Sequence, residues 1–204
     1  MGKIAVDVVL LPDEEMTGWA IEANAELIKT AGRKIVLNRE DCLPHISLAM
    51  GCIDRMYIET ILRILERIAE EYGSGVAKLR VTGVHIATNS VGEKVSAFII
   101  EKTKELQSLH EEVMQELRPY FSYDVSADMI YGTEEVAHST LLWIRDYPAK
   151  SSYVNFSPHI TIGYGEVSPV HFSMEFTASR LALCHLGNHC TCRQILASSK
   201  IEGD

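Results

Sequence analysis

Hydrophobic and polar positions follow strand-like and helix-like periods in turn along the chain. The aliphatic run from Lys3 to Leu11 predicts a buried strand. Pro12-Asp13-Glu14-Glu15 then indicates a helix start, because acidic residues in a first turn complement the helix dipole. Apolar residues recur at helical spacing up to Gly32, a natural helix stop, at Met16, Trp19, Ala20, Ala23 and Leu27. A short strand is predicted from Arg33 to Asn38.

The middle of the chain predicts a helix, two strands and another helix. Asp54 can cap a helix that Gly73-Ser74-Gly75 is expected to end, with the apolar stripe Tyr57, Ile61, Leu65 and Ile68. Two strands are predicted, from Lys78 to Thr88 and from Lys94 to Ile100, joined by the loop Asn89-Ser90-Val91-Gly92-Glu93. A further helix ends near Pro119 and carries the apolar positions Leu106, Leu109, Val113 and Leu117.

The last third of the chain is the least regular. The stretch from Ser122 to Phe156 mixes aromatic and cationic residues at Trp143, Arg145, Tyr147, Lys150 and Tyr153. That composition is typical of a loop that stacks on a base and contacts phosphate, although an ordinary surface loop has it too. The tail from Arg180 to Leu196 predicts a two-residue hairpin around Gly187-Asn188.

Helices fall between the strands irregularly, which favours an α+β fold with antiparallel sheets over a doubly wound parallel sheet. The order of elements is a pseudo-repeat, and 204 residues suffice for one domain or two small fused lobes. We expect a single domain over residues 1–204. Dinucleotide, phosphate-loop and Gly-x-Ser-x-Gly signatures are absent from the sequence.

Composition narrows the classes of partner. The net charge of −9 argues against broad binding to the backbone of duplex DNA, yet permits a small phosphate substrate or an RNA end. No apolar run approaches the roughly 18 residues that span a membrane, so no membrane partner is expected. The apolar run near the start contains Asp7 and lacks a cleavage signal, so no signal peptide is expected. Five cysteines are an odd number, which favours reduced thiols in the cytoplasm.

The main candidate chemistry lies in a repeated motif. Pro44-His45-Ile46-Ser47-Leu48-Ala49 has a near-copy at Pro158-His159-Ile160-Thr161-Ile162-Gly163. Each copy suits a strand that opens with proline. Side chains at i and i+2 of a strand share a face, so each copy places an imidazole beside a hydroxyl while the isoleucine turns to the core. Two such pairs brought together predict phosphoryl transfer without a metal.

The surrounding context makes this repeat specific. Two further segments, His138-Ser139-Thr140 and His189-Cys190-Thr191, also fit a bare His-x-Ser/Thr pattern, so that pattern alone is weak. Only the two copies share the proline and the aliphatic residues. The alternative is that two strands each carry a structurally satisfied histidine beside a polar neighbour.

A metal site is a separate alternative. In the register of the predicted hairpin, His185, Cys190 and Cys192 fall on one face. Structural zinc usually takes four ligands at other spacings, and no fourth ligand is apparent, so no metal or cofactor is expected. Small buried thiols are the more ordinary role for such cysteines.

The paired motifs resemble the twin His-x-Thr/Ser motifs of the 2H phosphoesterase superfamily. Within it, the chain looks most like the 2′-5′ RNA ligase / RNA 2′,3′-cyclic phosphodiesterase group, from about Lys3 to Gly165. The resemblance implies two pseudosymmetric lobes of antiparallel sheet flanked by helices, with a motif on each wall of a central cleft. Three features depart from the family pattern: Ser47 stands for the commoner Thr, Met50-Gly51-Cys52 lacks an aromatic, and 122–156 is long.

The expected activity is that of a metal-independent phosphoesterase. His45 and His159 would act as general acid and base on 2′,3′-cyclic phosphates or 2′-5′ phosphodiesters of RNA ends or nucleotides. Ser47 and Thr161 would donate hydrogen bonds to the phosphate oxygens. Proximity in sequence adds three candidates for substrate binding: Tyr164, Arg145 and Lys150. We expect a monomer, and the alternative function is a non-catalytic nucleotide- or RNA-binding protein of the same fold.

Overall fold

The described part of the chain contains seven β-strands and four α-helices. The computed structural model describes residues 2–89, 92–167 and 173–201. Its strands are β1 (Lys3–Pro12), β2 (Ile46–Asp54), β3 (Lys78–Thr88), β4 (Lys94–Ile100), β5 (His159–Tyr164), β6 (Met174–Leu186) and β7 (Cys192–Lys200). Its helices are α1 (Glu14–Leu27), α2 (Ile58–Val76), α3 (Lys104–Leu117) and α4 (His138–Lys150). None of these described helices has the length and apolar content to cross a membrane.

All strand pairs are antiparallel, and their order is β1-β2-β5-β4-β3-β6-β7 with an additional β1–β6 pairing. The long strand β6 closes the arrangement. Its first residues, from Met174 to Thr177, pair with β3, and those from Ala178 to His185 pair with β1. The strands around β1 and those around β4 therefore form two halves of one sheet, joined through β6 and again where β2 meets β5. The expected α+β class with antiparallel sheet and flanking helices is confirmed.

Strand β1 is buried on both faces and forms the centre of one half. Ile4, Val6 and Leu10 belong to the main core. Val9 and Leu11 point the other way, into a smaller apolar cluster with Ala182, Cys184 and Cys192. A strand covered on both sides reads as a continuous apolar run, which is why the sequence predicts it so directly.

Helices α1 and α3 begin at side-chain caps. Asp13 accepts a hydrogen bond from the Met16 N–H at 2.8 Å, and Thr103 accepts one from the Leu106 N–H at 3.1 Å. The predicted end of α2 at Gly73-Ser74-Gly75 is wrong, because the helix continues to Val76. A β-carbon on Gly75 would lie only 3.3 Å from Glu105 Cγ. The glycine thus permits close packing of α2 on α3 rather than ending the helix.

Strands β3 and β4 have the predicted bounds, and the next element is the predicted helix α3. Within the predicted loop between the strands, Ser90 and Val91 lie outside the described residues. The strand predicted from Arg33 to Asn38 is absent from the structure of this segment. Its backbone bonds to a side chain instead, since Ile35 O and Leu37 N are hydrogen-bonded by Asn24.

The segment predicted to be irregular, from Ser122 to Phe156, contains α4 between two short 3₁₀ turns. Two features hide this helix from sequence analysis. Ala137 at its N-terminus makes no side-chain cap, and Pro148 lies inside its last turns.

The tail differs from the predicted two-residue hairpin. Strands β6 and β7 are joined by a longer connection that contains a 3₁₀ turn at Asn188–Cys190, with His189 and Cys190 at positive φ. Cys184 and Cys192 form a disulfide across these strands. The expectation that all thiols are reduced is therefore wrong for this pair, because the β6–β7 pairing brings the two sulfurs together. Among the described cysteines, Cys42, Cys52 and Cys190 are free.

Candidate active site

The two motifs meet on neighbouring strands. Ile46 of β2 pairs directly with Ile160 of β5, and this pair is the whole ladder between the two strands. Both isoleucines have no exposed surface, so they point into the core. Because side chains alternate along a strand, the residues on either side of each isoleucine point to the opposite face of the sheet. This face, which we call the motif face, carries His45, Ser47, His159 and Thr161.

The antiparallel register sets the cross-strand neighbours on the motif face. One step from the Ile46–Ile160 pair, His45 comes opposite Thr161, and Ser47 comes opposite His159. Directly opposite β-carbons in antiparallel strands are typically about 4.5–5.5 Å apart. Each histidine therefore faces the hydroxyl residue of the other motif. The register therefore brings the four groups together on the motif face.

Both histidines are held in the same way by the backbone. His45 Nδ1 donates to Leu43 O at 2.7 Å, and His159 Nδ1 donates to Ser157 O at 2.8 Å. A carbonyl oxygen only accepts, so each Nδ1 carries a proton and each Nε2 is left for chemistry. The motif prolines precede these histidines, which keeps the connecting backbone extended.

Each motif strand contains a bulge at the same motif position. In β2, Ser47 pairs with Val9 and Ala49 with Val8, so Leu48 is the extra residue. In β5, Thr161 pairs with Ala97 and Gly163 with Ser96, so Ile162 is the extra residue. Bulges re-aim the side chains that follow them and are frequent beside active sites.

Buried side chains hold the carbonyl groups of both bulges. Leu48 O accepts from His110 Nδ1 at 2.7 Å and from the Tyr147 hydroxyl at 3.0 Å. Ile162 O accepts from Asn24 Nδ2 at 2.7 Å. His110, Tyr147 and Asn24 come from three different helices. The repeat in sequence thus corresponds to a repeat in structure, although the groups that support each copy differ.

Asp7 is a site residue that the motif search misses. It has no exposed surface, accepts a hydrogen bond from Ser47 Oγ at 2.6 Å and lies 3.8 Å from His45 Nε2 through its Oδ2. Burial raises the pKa of Asp7 well above its ordinary value, while hydrogen bonds from Ser47 Oγ and the Ala49 backbone work in the opposite direction. The sequence does hold one indication of Asp7, because it is a single acidic residue inside the apolar run of β1 and carboxyl groups are rarely buried in a strand that only supports the core.

His85 also reaches the motif face without belonging to a motif. It pairs with Ala97, which pairs with Thr161, so the three side chains form one row across β3, β4 and β5. His85 is close enough that its charge lowers the pKa of His159. An exposed histidine in an ordinary strand gives no distinctive sequence signal.

Tyr164 lies on the motif face because of the bulge. It pairs with Val95, two residues from Ala97, so it shares a face with Thr161 in spite of the three-residue spacing. Its hydroxyl and His189 Nδ1 are 3.2 Å apart, and Lys34 Nζ lies 4.8 Å from its ring centroid. Tyr164, one of the substrate-binding candidates from the sequence, therefore lies with its ring and Lys34 next to the second motif.

Burial determines the protonation of the two motif histidines. It lowers the pKa of His45 to about 4, with a smaller contribution from a charge on His159. It lowers the pKa of His159 as well. Both imidazoles are thus neutral in the free protein near pH 7, and the contribution of His159 to the pKa of His45 agrees with their positions on neighbouring strands.

The structure does not bring Arg145 and Lys150 to the motif face. Both are exposed residues of α4 and form ion pairs with Asp146, at 2.8 Å and 2.9 Å. Arg145 precedes the buried Tyr147 by two positions, which on a helix points it to the opposite side. Proximity in sequence is a poor guide here because α4 intervenes.

The proposed metal ligands His185, Cys190 and Cys192 do not form a cluster. Cys192 is bonded to Cys184, and His185, the next residue of β6, points to the other face, where its Nε2 bonds to Met129 O at 3.0 Å. Within residues 2–89, 92–167 and 173–201, no group of three or more His, Cys, Asp or Glu side chains is placed to hold a metal ion.

Comparison with known proteins adds support for the fold. The chain is similar to the protein in the crystal structure of TT0787 of Thermus thermophilus, with a TM-score of 0.61 and 17% sequence identity. The similarity covers 98% of this chain and 100% of that chain. No protein-family model matches the sequence, and no curated protein matches it. At this identity the likeness shows a shared fold, and function has to be argued from the motif face itself.

Proposed function

We propose that this chain is a metal-independent phosphoesterase that acts on 2′,3′-cyclic phosphates or 2′-5′ phosphodiesters of RNA ends or nucleotides. The observation that carries the proposal is the Ile46–Ile160 pair, because strand alternation from that pair puts both imidazole–hydroxyl pairs on the motif face. The fold and the repeated motif agree with the 2H phosphoesterase resemblance. A monomer that binds nucleotides or RNA ends, in the cytoplasm, belongs to the same proposal.

Hydrolysis of a cyclic phosphate needs one base and one acid. Nε2 of one histidine takes a proton from water as the water oxygen attacks phosphorus. Nε2 of the other gives its proton to the ribose oxygen as the P–O bond breaks. His45 and His159 both present Nε2, since their Nδ1 atoms are occupied by backbone carbonyls. The step balances, because the base gains a proton from water, the acid loses one to the ribose oxygen, and the P–O bond to water replaces the P–O bond that breaks.

The hydroxyls of Ser47 and Thr161 supply the charge stabilisation. Hydrogen bonds to the non-bridging oxygens strengthen as negative charge develops in the transition state. The net charge of −9 makes such local donors more important, since the chain as a whole does not attract anions. Lys34 lies over the Tyr164 ring at the edge of the motif face, and its ion pair with Glu93 offsets its charge there. The tyrosine ring can stack on a base.

The test compares His45→Ala and His159→Ala with the wild type on a 2′,3′-cyclic nucleotide in excess EDTA. We expect each variant to lose about 10²–10⁴ in kcat, the usual contribution of a general acid or base. His138→Ala is the matched control, because His138 fits the bare His-x-Ser/Thr pattern but is an exposed residue at the start of α4. It should retain wild-type activity.

Three outcomes would count against the proposal. Comparable activity in either motif variant would refute the two-histidine scheme. Loss of wild-type activity in EDTA with recovery on zinc would refute metal independence. Binding of a panel of cyclic phosphates and 2′-5′ linkages without turnover would favour the non-catalytic alternative.

A further inference from the structure

Asp7 occupies an unusual position for a carboxyl group. It lies in the middle of β1, opposite Met50 of β2 and Cys184 of β6, with no surface exposed to solvent. Among the described residues, its Oδ1 atom has no hydrogen-bond partner. Burying a carboxyl with an unsatisfied oxygen costs free energy, so a fold with no use for it would be better served by an apolar residue.

The contacts of Asp7 point at the motif face. Ser47 Oγ lies 2.6 Å from Oδ2, and His45 Nε2 lies 3.8 Å from the same oxygen. The distance to Ser47 Oγ is that of a strong hydrogen bond, whereas the distance to His45 Nε2 exceeds hydrogen-bond range. Asp7 therefore acts on the first motif mainly through the serine.

A serine hydroxyl has a single proton to donate. When Asp7 is ionised it only accepts, so the Ser47 hydroxyl donates its hydrogen bond to Asp7 and has no proton left to donate to a ligand. When Asp7 is protonated, it can donate to Ser47 Oγ, and the Ser47 proton is then available to another acceptor. The two protonation states thus set opposite directions for the same hydroxyl.

We propose that Asp7 is a positioning residue, whose protonated carboxyl group donates to Ser47 Oγ and thereby directs the Ser47 hydroxyl toward a bound phosphate oxygen. This rests on the proposed function of the motif face and names a residue that the motifs do not contain. Ionisation of Asp7 reverses the hydroxyl and weakens phosphate binding and turnover.

The neighbouring titratable groups are compatible with this role. Those that face Asp7 among the described residues are His45 just before β2, Tyr147 from α4 and Cys190 from the turn before β7. Burial raises the pKa of Tyr147 and that of Cys190, so both stay neutral in the pH range of interest. His45 is then the one neighbour whose charge can change with that of Asp7.

The second motif provides an internal control. Among the described residues no carboxyl group hydrogen-bonds Thr161, so its hydroxyl direction does not depend on a nearby acid. The effect should be confined to Ser47, although the two hydroxyls occupy equivalent positions in the motifs.

The experiment measures kcat/KM against pH for the wild type and Asp7→Asn, alone and combined with Ser47→Ala or Thr161→Ala. Asparagine keeps the shape and always offers an N–H to Ser47, so it imitates the protonated acid. We expect the ratio of Asp7→Asn to wild-type activity to rise by roughly tenfold as pH rises through the raised pKa of Asp7, the value of a hydrogen bond to a charged group. The rise should persist with Thr161→Ala and vanish with Ser47→Ala.

The inference would be overturned if the ratio of Asp7→Asn to wild-type kcat/KM did not change with pH. It would also be overturned if the rise persisted in the Ser47→Ala background, since Asp7 would then act directly on His45. Binding of adenosine 2′-monophosphate to the same variants provides a readout independent of turnover. Ionisation of the ligand cancels when the Kd of each variant is divided by that of the wild type at the same pH. Binding with the expected pH dependence but no hydrolysis of cyclic substrates would refute the proposed function alone. No binding at any pH would overturn both.

Discussion

The two motif histidines share the same backbone support but have different neighbours. His45 lies beside the Asp7 carboxyl group, whereas His159 lies near the His85 imidazole. A carboxyl group favours a proton on the adjacent histidine once it ionises, and a second imidazole disfavours one. The site is therefore symmetric in its backbone and asymmetric in its charges. Only the backbone symmetry is visible in the repeated motif.

The lowered pKa values predict where the enzyme is most active. The productive site holds one neutral histidine as base and one protonated histidine as acid. Burial lowers the pKa of His45 from 6.5 to about 4 and also lowers that of His159 from 6.5. We therefore expect kcat/KM for a 2′,3′-cyclic nucleotide to peak below about pH 6.5, between the two macroscopic pKa values. A rate profile that peaks on the alkaline side would contradict this reading of the site.

At the scale of elements, the matching bulges of β2 and β5 matter as much as the motif residues. A regular strand would place Tyr164 on the face opposite Thr161, and the bulge at Ile162 reverses this. Such bulges need their extra carbonyl satisfied, because an unpaired buried C=O is costly. His110 and Tyr147 serve this purpose for Leu48 O.

Tyr147→Phe tests whether this anchor sets the geometry of the first motif. The change removes the hydroxyl bond to Leu48 O, while His110 still bonds to the same carbonyl. We expect the free energy of unfolding to fall by about 1 kcal/mol. Because catalytic groups tolerate little displacement, kcat/KM should fall by roughly threefold to tenfold. Denaturant unfolding and the cyclic-nucleotide assay measure the two effects.

Ser179→Ala is the control for that change. Its hydroxyl donates to a backbone carbonyl, Leu11 O at 3.1 Å, in β1 rather than in a motif strand. It should leave kcat/KM unchanged. Equal activity losses in the two variants would mean that the bulge anchor has no special role.

Sequence patterns predict most of the elements and fail where local signals conflict with tertiary structure. The period of two in Lys78–Thr88 predicts β3 to the residue, because alternate side chains in its first half are buried. Arg33–Asn38 has strand-like residues but bonds to Asn24, a contact that no local pattern contains. Helix α4 lacks a side-chain cap and contains Pro148, so its sequence resembles a loop.

At the scale of the whole molecule, the site exists only because distant segments meet. Ile46 and Ile160 pair across the closure of the sheet, and β6 joins the two halves by pairing with both β1 and β3. The motif repeat predicts the chemistry of four side chains without this topology. Asp7 and His85 could not be assigned in that way, because their place at the site follows from strand register and from no motif.

The buried ionisable groups of the site also predict how stability depends on pH. The pKa of His45 and that of His110 lie at about 4 in the folded chain, below the ordinary 6.5. Stability is thus lost as pH falls from 6.5 toward 4, by up to about 1.4 kcal/mol per pH unit for each histidine. Asp7 has the opposite sign, because burial raises its pKa. Its contribution to stability is lost as pH rises above about 4 through that raised pKa.

The measurement is the free energy of unfolding in denaturant as a function of pH. His45→Asn should reduce its fall on the acid side, as pH drops from 6.5 toward 4, and Asp7→Asn should remove the loss that accompanies rising pH. The exposed His138, changed to Gln, is the control that should alter neither, and an unchanged acid-side slope in His45→Asn would show that this histidine is not buried as a neutral base.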